Sequence, residues 1–477
     1  MLSFRTMRRL IAAATFVSFA SAQSPPPGFT YQTLVDGPLN SATAMAFAPD
    51  GRLFITERTT GNIRVFANGA LQAAPWATIA VAGGGTWAEQ GLLGIAIDPA
   101  FLTNRFVYVF YTAPSGTENR IARLQENGGV GSNLTVLSPA NALQSQLYHN
   151  AGPMVFGYDG TLFVGTGDAL GGSNAQNMQT WLGKILRFNV PNLTVPSNNP
   201  FPGSAIYSLG HRNQFGLTIH PVTGKLYQTE NGGALMDELN LIQAGGNYGW
   251  PNYEGLENPP NPSFIDPLAS YQPTTAPTGT CFYRGDHYPL AYKHAWFFTD
   301  YNMNRLRMLT LNAAGTTVTS QIVFDTLPGS GYGLVSGPDG NLWYLTNDQG
   351  GFGADELGRY VHANEPMPSA QISSVSNKSL GASITVCVHA PNGTIAVPWL
   401  STSQFASPLP TPFGNLWVQG DAMLSAVVVT QDQRNYLGLT LPNAPTFLGS
   451  SIYLQAVVVD AMSTLRLTNP SQLVIRG

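Results

Sequence analysis

The densest chemistry in this sequence lies in residues 206–251, IYSLGHRNQFGLTIHPVTGKLYQTENGGALMDELNLIQAGGNYGWP. An arginine, a histidine and several amides are packed there, followed by Gly232 and Gly233 and then the adjacent acids Asp237 and Glu238. Neighbouring carboxylates repel unless a cation or an arginine compensates them, so the pair is a candidate ion site; two solvated surface acids are the plain alternative. A second candidate is His149 in LYHNAGPMVFGYDG, which begins at Leu147, because an imidazole titrates near neutrality and can move a proton without a large shift. Gly165-Thr166-Gly167-Asp168 and Gly183-Lys184-Ile185 follow it, and WAEQGLLGIAIDP precedes it from Trp87.

Groups so far apart in the chain need a scaffold of rigid strands that presents its loops on one side. A loose repeat supplies it. APDGRLFITE from Ala48, GYDGTLFVGTGD from Gly157, HPVTGKLYQTEN from His220 and GPDGNLWYLTND from Gly337 each join a tight turn to a short apolar strand. Asp-Gly between apolar alternations is a strong hairpin signal. Two degenerate copies, from Ile97 and His294, fill the gaps. A spacing of roughly 45 to 65 residues suits a four-stranded propeller blade. The copies predict an all-β, six-bladed β-propeller over residues 29–361, with a β-sandwich of unrelated hairpins as the alternative.

The composition agrees. Only 10% of the 477 residues are charged, 11% are aromatic, and Gly 51 and Pro 35 mark a chain full of turns. A formal net charge of -4 gives no electrostatic footprint for nucleic acid. Cys281 and Cys387 are too few for a disulfide framework and are read as free thiols. Residues 1–22 read as a signal peptide: MLSFRTMRR carries three arginines, LIAAATFVSFA is a short apolar core, and Ala20-Ser21-Ala22 fits a cleavage site. That apolar run is too short for a membrane span, so the expected location is periplasmic or extracellular. HANEPMPSAQ, from His362, reads as a linker, and short alternating strands over 365–477 predict a small C-terminal β-sandwich without a catalytic grouping.

Taken together and in order, EQGLLG, HNAG, GHRNQFG, and DELNLI with NYGWP resemble the soluble quinoprotein sugar dehydrogenases, the glucose/sorbosone dehydrogenase family. The resemblance covers most of residues 29–361 and implies a six-bladed propeller holding pyrroloquinoline quinone (PQQ) and calcium at the channel top. It implies that His149 is the general base for a sugar hydroxyl and that Arg212 polarises the quinone carbonyl receiving the hydride. Gln90 and Asn213 would hydrogen-bond cofactor or substrate. The carbonyls of Gly232 and Gly233 would hold the bridging calcium, with Asp237, Glu238 and Tyr248 at a neighbouring acidic site. The implied partners are a small sugar and an external electron acceptor.

One part of the pattern departs from the family. The three carboxylates of PQQ normally meet a lysine and two arginines from the late blades. This chain has Phe298-Thr299-Asp300-Tyr301-Asn302 at the first place, and Ser330 and Tyr332 at the others. Charge-assisted bonds contribute roughly 1.5–3 kcal/mol each, so three losses cost several kcal/mol. Arg284, Lys293, Arg305 and Arg307 are nearby substitutes by sequence. Two alternatives to a dehydrogenase therefore stand: a calcium-bound propeller that binds carbohydrate or protein, and a calcium-dependent lactonase-type hydrolase.

Overall fold

The structure, a computed structural model, describes residues 25–362 except 84, 86, 87, 257, 258, 286, 327, 328 and 348–353, and beyond 362 the strands named below. The leader, the 363–370 linker and Trp87 lie outside the described residues.

Six antiparallel blades, five of four strands and the first of five, surround a central channel. Their inner strands are Ala42–Phe47, Leu92–Ile97, Ala151–Phe156, Gln214–Ile219, Pro277–Phe282 and Ser330–Ser336, for blades 1 to 6. The second strands are Leu53–Glu57, Phe106–Thr112, Leu162–Thr166, Leu226–Glu230, Trp296–Asp300 and Leu342–Asn347. Each of the six repeat copies read from the sequence supplies one of these second strands. In four of them the turn glycine, Gly51, Gly160, Gly224 or Gly340, sits at a φ between +70° and +89°, which a Cβ would disfavour. Asp50, Asp159 and Asp339 accept a hydrogen bond from the N–H two residues on, the asx turn that makes Asp-Gly hairpins local and legible.

The ring closes non-locally. The first strand, Phe29–Asp36, is the outer strand of blade 6 and pairs with Glu356–His362, with Thr30 opposite Val361. Phe29 makes edge-on contacts with Tyr288 and Phe324, and Tyr31 donates its hydroxyl to Glu356 at 2.7 Å. Between blades 2 and 3 the backbones nearly touch: a Cβ on Gly94 would lie 1.9 Å from the Gly152 carbonyl. Apolar clusters fill the spaces between blades, so the core is a set of wedges around the channel.

The described residues beyond 362 are also strand. One sheet joins Gln371–Ser374, Ser383–His389 and Arg434–Thr440, and a second centres on Ile395–Ser401 and Ser451–Val459. Gln404–Thr411 and Gly414–Val418 form a hairpin. Cys281 is buried and free, and the Cys387 side chain lies outside the described residues. Among the described residues no helix is long and apolar enough to cross a membrane.

Candidate active site at one mouth of the channel

The loops entering each inner strand and those leaving each second strand lie at the same end of the ring. That topology brings His149, Arg212 and Asn213, which precede inner strands, together with Arg58, Asp168 and residues 231–233, which follow second strands.

His149 occupies the left-handed region, with φ +60°, and its Nδ1 lies 2.7 Å from Asp168 Oδ1. The Asp168 side chain is 1% exposed and also accepts the Leu170 N–H at 2.9 Å and the Trp250 indole N–H at 2.8 Å. An ionised carboxylate held this way keeps the imidazole proton on Nδ1 and leaves Nε2 as the basic nitrogen. The His149 side chain remains 12% exposed, so that nitrogen is not sealed off.

Arg212 is fixed from three sides. Its N–H donates to Glu230 and its Nη1 to the Asn231 carbonyl at 3.1 Å, while its guanidinium carbon lies 5.3 Å from the Trp250 ring centroid. The Asp168 N–H donates to the Arg212 carbonyl at 2.8 Å, tying the two loops together. Beneath it, His211 is fully buried between Ser208 Oγ at 2.9 Å and Glu230 Oε2 at 3.0 Å, with the Tyr248 ring stacked on it. Asn213 accepts the Ala151 N–H and donates to Glu89 at 3.1 and 3.2 Å.

Glu89 was missed by sequence reasoning, which chose its neighbour Gln90. The Gln90 amide donates to the Gly116 carbonyl at 2.7 Å and Ser145 Oγ at 3.1 Å, away from the channel. Glu89 instead lines the channel, a cavity of about 400 Å³. Burial raises its carboxyl above the ordinary range, opposed by the Asn150 N–H, His149 and Asn213. Arg58, also missed, lines the same cavity and donates to the carbonyls of Ala88 at 2.5 Å and Gln90 at 3.2 Å.

The structure separates the acid pair. Asp237 and Glu238 are successive residues of strand Asp237–Ile242 and therefore point to opposite faces. Asp237 accepts N–H groups from Gly232 at 2.9 Å and from Thr275 and Ala276 at 2.6 Å, stapling blade 4 to the entry of blade 5. Glu238 turns toward Glu230, Glu254, Arg212 and Gly232 around a small cavity. Burial, then the nearby Glu230, pushes the Glu238 carboxyl up to about 8. Glu254, the third acid there, accepts the Gly233 N–H at 2.5 Å. Neither Gly232 nor Gly233 has a positive φ. Crowding requires glycine at the first, where a Cβ would lie 1.7 Å from the Met236 backbone carbonyl; at the second a Cβ would lie 2.1 Å from Glu254 Oε1 and displace that side chain. The Tyr248 hydroxyl donates to the Leu241 carbonyl at 2.6 Å and so braces the turn. Among the described residues no group of three or more His, Cys, Asp or Glu side chains stands in metal-holding geometry.

Among the described residues the late blades supply no substitute cation at this mouth. Asp300 pairs with Arg307 at 2.8 Å on the third strand of blade 5, and Arg305 beside it contacts Met303. Arg284 follows the far end of inner strand Pro277–Phe282, and Lys293 lies on the same connection, so both belong to the opposite mouth. Ser330 donates to Asn304 Oδ1 at 3.1 Å, and Tyr332 lines the channel. The described donors thus offer the Arg212 guanidinium to a carbonyl, with Asn213 committed to Glu89, and they do not reproduce the three cations that a tricarboxylate meets in the family.

The chain is thus a six-bladed ring that presents a histidine–aspartate pair and a fixed arginine at one mouth. Residues 39–353 match the Glucose / Sorbosone dehydrogenase family, and the chain belongs to it. It is 32% identical over 251 residues to quinoprotein glucose dehydrogenase B of Acinetobacter calcoaceticus, covering 46% of this chain and 52% of that protein. It is 25% identical over 360 residues to aldose sugar dehydrogenase YliI of Escherichia coli, covering 70% and 95%. The PQQ-bound aldose sugar dehydrogenase of Streptomyces coelicolor superposes with a TM-score of 0.60 at 27% identity, over 71% of this chain and 99% of that one.

Proposed function

We propose that the protein is an exported dehydrogenase that oxidises an aldose or related polyol at C1 to a lactone. The observation that carries this reading is the His149–Asp168 pair at 2.7 Å, linked through the Asp168 N–H to the Arg212 loop. His149 Nε2 takes the hydroxyl proton of the substrate, and Asp168 stabilises the imidazolium that results. Arg212 directs fixed positive charge at an oxygen on which negative charge grows, and Asn213 holds Glu89 in place beside it. PQQ, when bound, would supply the hydride acceptor and pass electrons to an external acceptor. Calcium, when bound, would be held at the Gly232–Gly233 turn and the Glu238 cavity, where it would offset the neighbouring Glu230, Glu238 and Glu254 carboxyl groups. The chain divides in this reading into a leader over 1–22, the propeller over 29–361 and a C-terminal domain over 365–477.

A second reading has its own support. The unmatched cations at Asp300, Ser330 and Tyr332 favour a propeller that has kept its sugar or protein contacts and lost the quinone. Titration of the purified chain with PQQ and calcium, followed by quinone absorbance, separates the two. Saturable PQQ uptake with sugar-dependent dye reduction supports the dehydrogenase, whereas calcium binding with no PQQ uptake supports the binder. Lactone hydrolysis without quinone would point to a hydrolase.

A further inference from the structure

The polar floor of this mouth is flanked, on the side of blades 3 and 4, by exposed apolar side chains. Ten large hydrophobic residues stand exposed among the described residues, and five of them belong to the loops of the site: Leu147, Tyr148, Leu170, Leu235 and Leu256. Their exposures run from 41% to 60%. The other five lie elsewhere, for example on the outer strands of blades 2 and 5.

These five residues form two groups joined by hydrogen bonds. Leu147 and Tyr148 flank His149, and the Leu147 carbonyl accepts the Glu89 N–H at 2.8 Å. Leu170 comes two residues after Asp168 and donates its N–H to that carboxylate. On the neighbouring blade 4, the Leu235 N–H donates to Glu254 at 3.2 Å, and Leu256 is two residues beyond Glu254. Trp250 bridges the groups, since its indole N–H reaches Asp168 and a Cβ on Gly233 would lie 3.0 Å from its ring. Apolar side chains concentrated at one opening cost solvation in the free protein, and such a concentration marks a binding surface.

We infer that the substrate is amphiphilic: its hydroxyl-bearing sugar end reaches the floor at His149, and an alkyl or aryl substituent rests on this apolar rim. A bare monosaccharide leaves the rim in water, whereas a chain of several methylenes covers it, and each methylene removed from water tightens binding. This inference rests on the sugar-site reading given above, and it specifies the part of the ligand that does not react.

The test compares 6-O-octyl-glucose, below its critical micelle concentration, with 6-O-methyl-glucose, both of which keep the C1 hydroxyl, by calorimetry on the full chain, with and without PQQ and calcium. The octyl compound is expected to bind at least about tenfold more tightly, about 1.4 kcal/mol. In a Leu170→Ser/Leu235→Ser/Leu256→Ser variant with unchanged circular dichroism, that preference should collapse while the affinity for the methyl ether stays. Equal affinities in the unmodified protein overturn the rim and leave the sugar site standing. A preference that survives the triple substitution also overturns it, because the chain then binds elsewhere, such as a surface that docks protein or lipid. Binding of neither sugar removes the sugar site and the rim together.

Discussion

Trp250 and Asp168, distant in sequence, meet across 2.8 Å, with the indole N–H donating to Asp168 Oδ2. The same carboxylate holds His149 through its other oxygen, and the same indole ring lies beneath Arg212. One aromatic residue from the connection after the third strand of blade 4 therefore fixes both the base and the cation. Trp250→Phe keeps the ring and removes the N–H, so a charge-assisted hydrogen bond of roughly 1.5–3 kcal/mol is lost. Turnover should fall about tenfold or more while the melting temperature moves by only a few degrees. Steady-state kinetics beside a thermal melt checks this.

Asp168→Asn should cost more. An amide no longer stabilises the imidazolium and can hold the wrong tautomer, so kcat is expected to drop by about 10²–10⁴-fold with KM little changed. A variant that instead raised KM alone would place His149 in binding and not in proton transfer.

Glu89 and Gln90 are predicted to behave differently although they are neighbours. Gln90→Ala removes donors to Gly116 and Ser145 inside the protein, and should lower stability by about 1–3 kcal/mol for the acceptors left unpaired. Glu89→Gln leaves the shape of the mouth and removes a carboxyl whose ionisation burial disfavours. The pH profile of kcat/KM should shift in Glu89→Gln and keep its shape in Gln90→Ala.

Glu238 sets a pH dependence whose sign is fixed by its raised value. The folded state holds this proton up to about 8, while the unfolded chain releases it near the ordinary glutamate value, about 4.3. Between those limits the folded state binds more protons, so this residue's contribution to stability falls as pH rises. Glu238→Gln should remove that slope in melts recorded from pH 5 to 8. If calcium occupies this cavity, it should raise the melting temperature more at pH 8 than at pH 6, and Glu238→Gln should abolish the difference.

Much of this fold could be read from the chain because its signals are local. Gly51, Gly160, Gly224 and Gly340 take the conformations that their turns require, and the strand following each turn is where the alternation put it. The separation of Asp237 and Glu238 was also available, since DELNLI alternates as a strand and adjacent residues cannot share a face. The choice between Glu89 and Gln90 was not, because it depends on how the loop enters the inner strand after Gly91, at φ +138°. Arg58, Trp250 and Glu254 were equally hidden: each works through a partner from a distant loop, such as the Ala88 carbonyl, Asp168 or the Gly233 N–H.

The most direct measurement is the primary isotope effect with glucose deuterated at C1, using the full chain loaded with PQQ and calcium and a reducible dye. Removal of that hydrogen as hydride predicts slower turnover of the deuterated sugar by about twofold or more, at a rate that collapses in His149→Ala. Sugar-dependent dye reduction with no isotope effect under single-turnover conditions, or undiminished in His149→Ala, would contradict the assignment of this mouth as the site of oxidation.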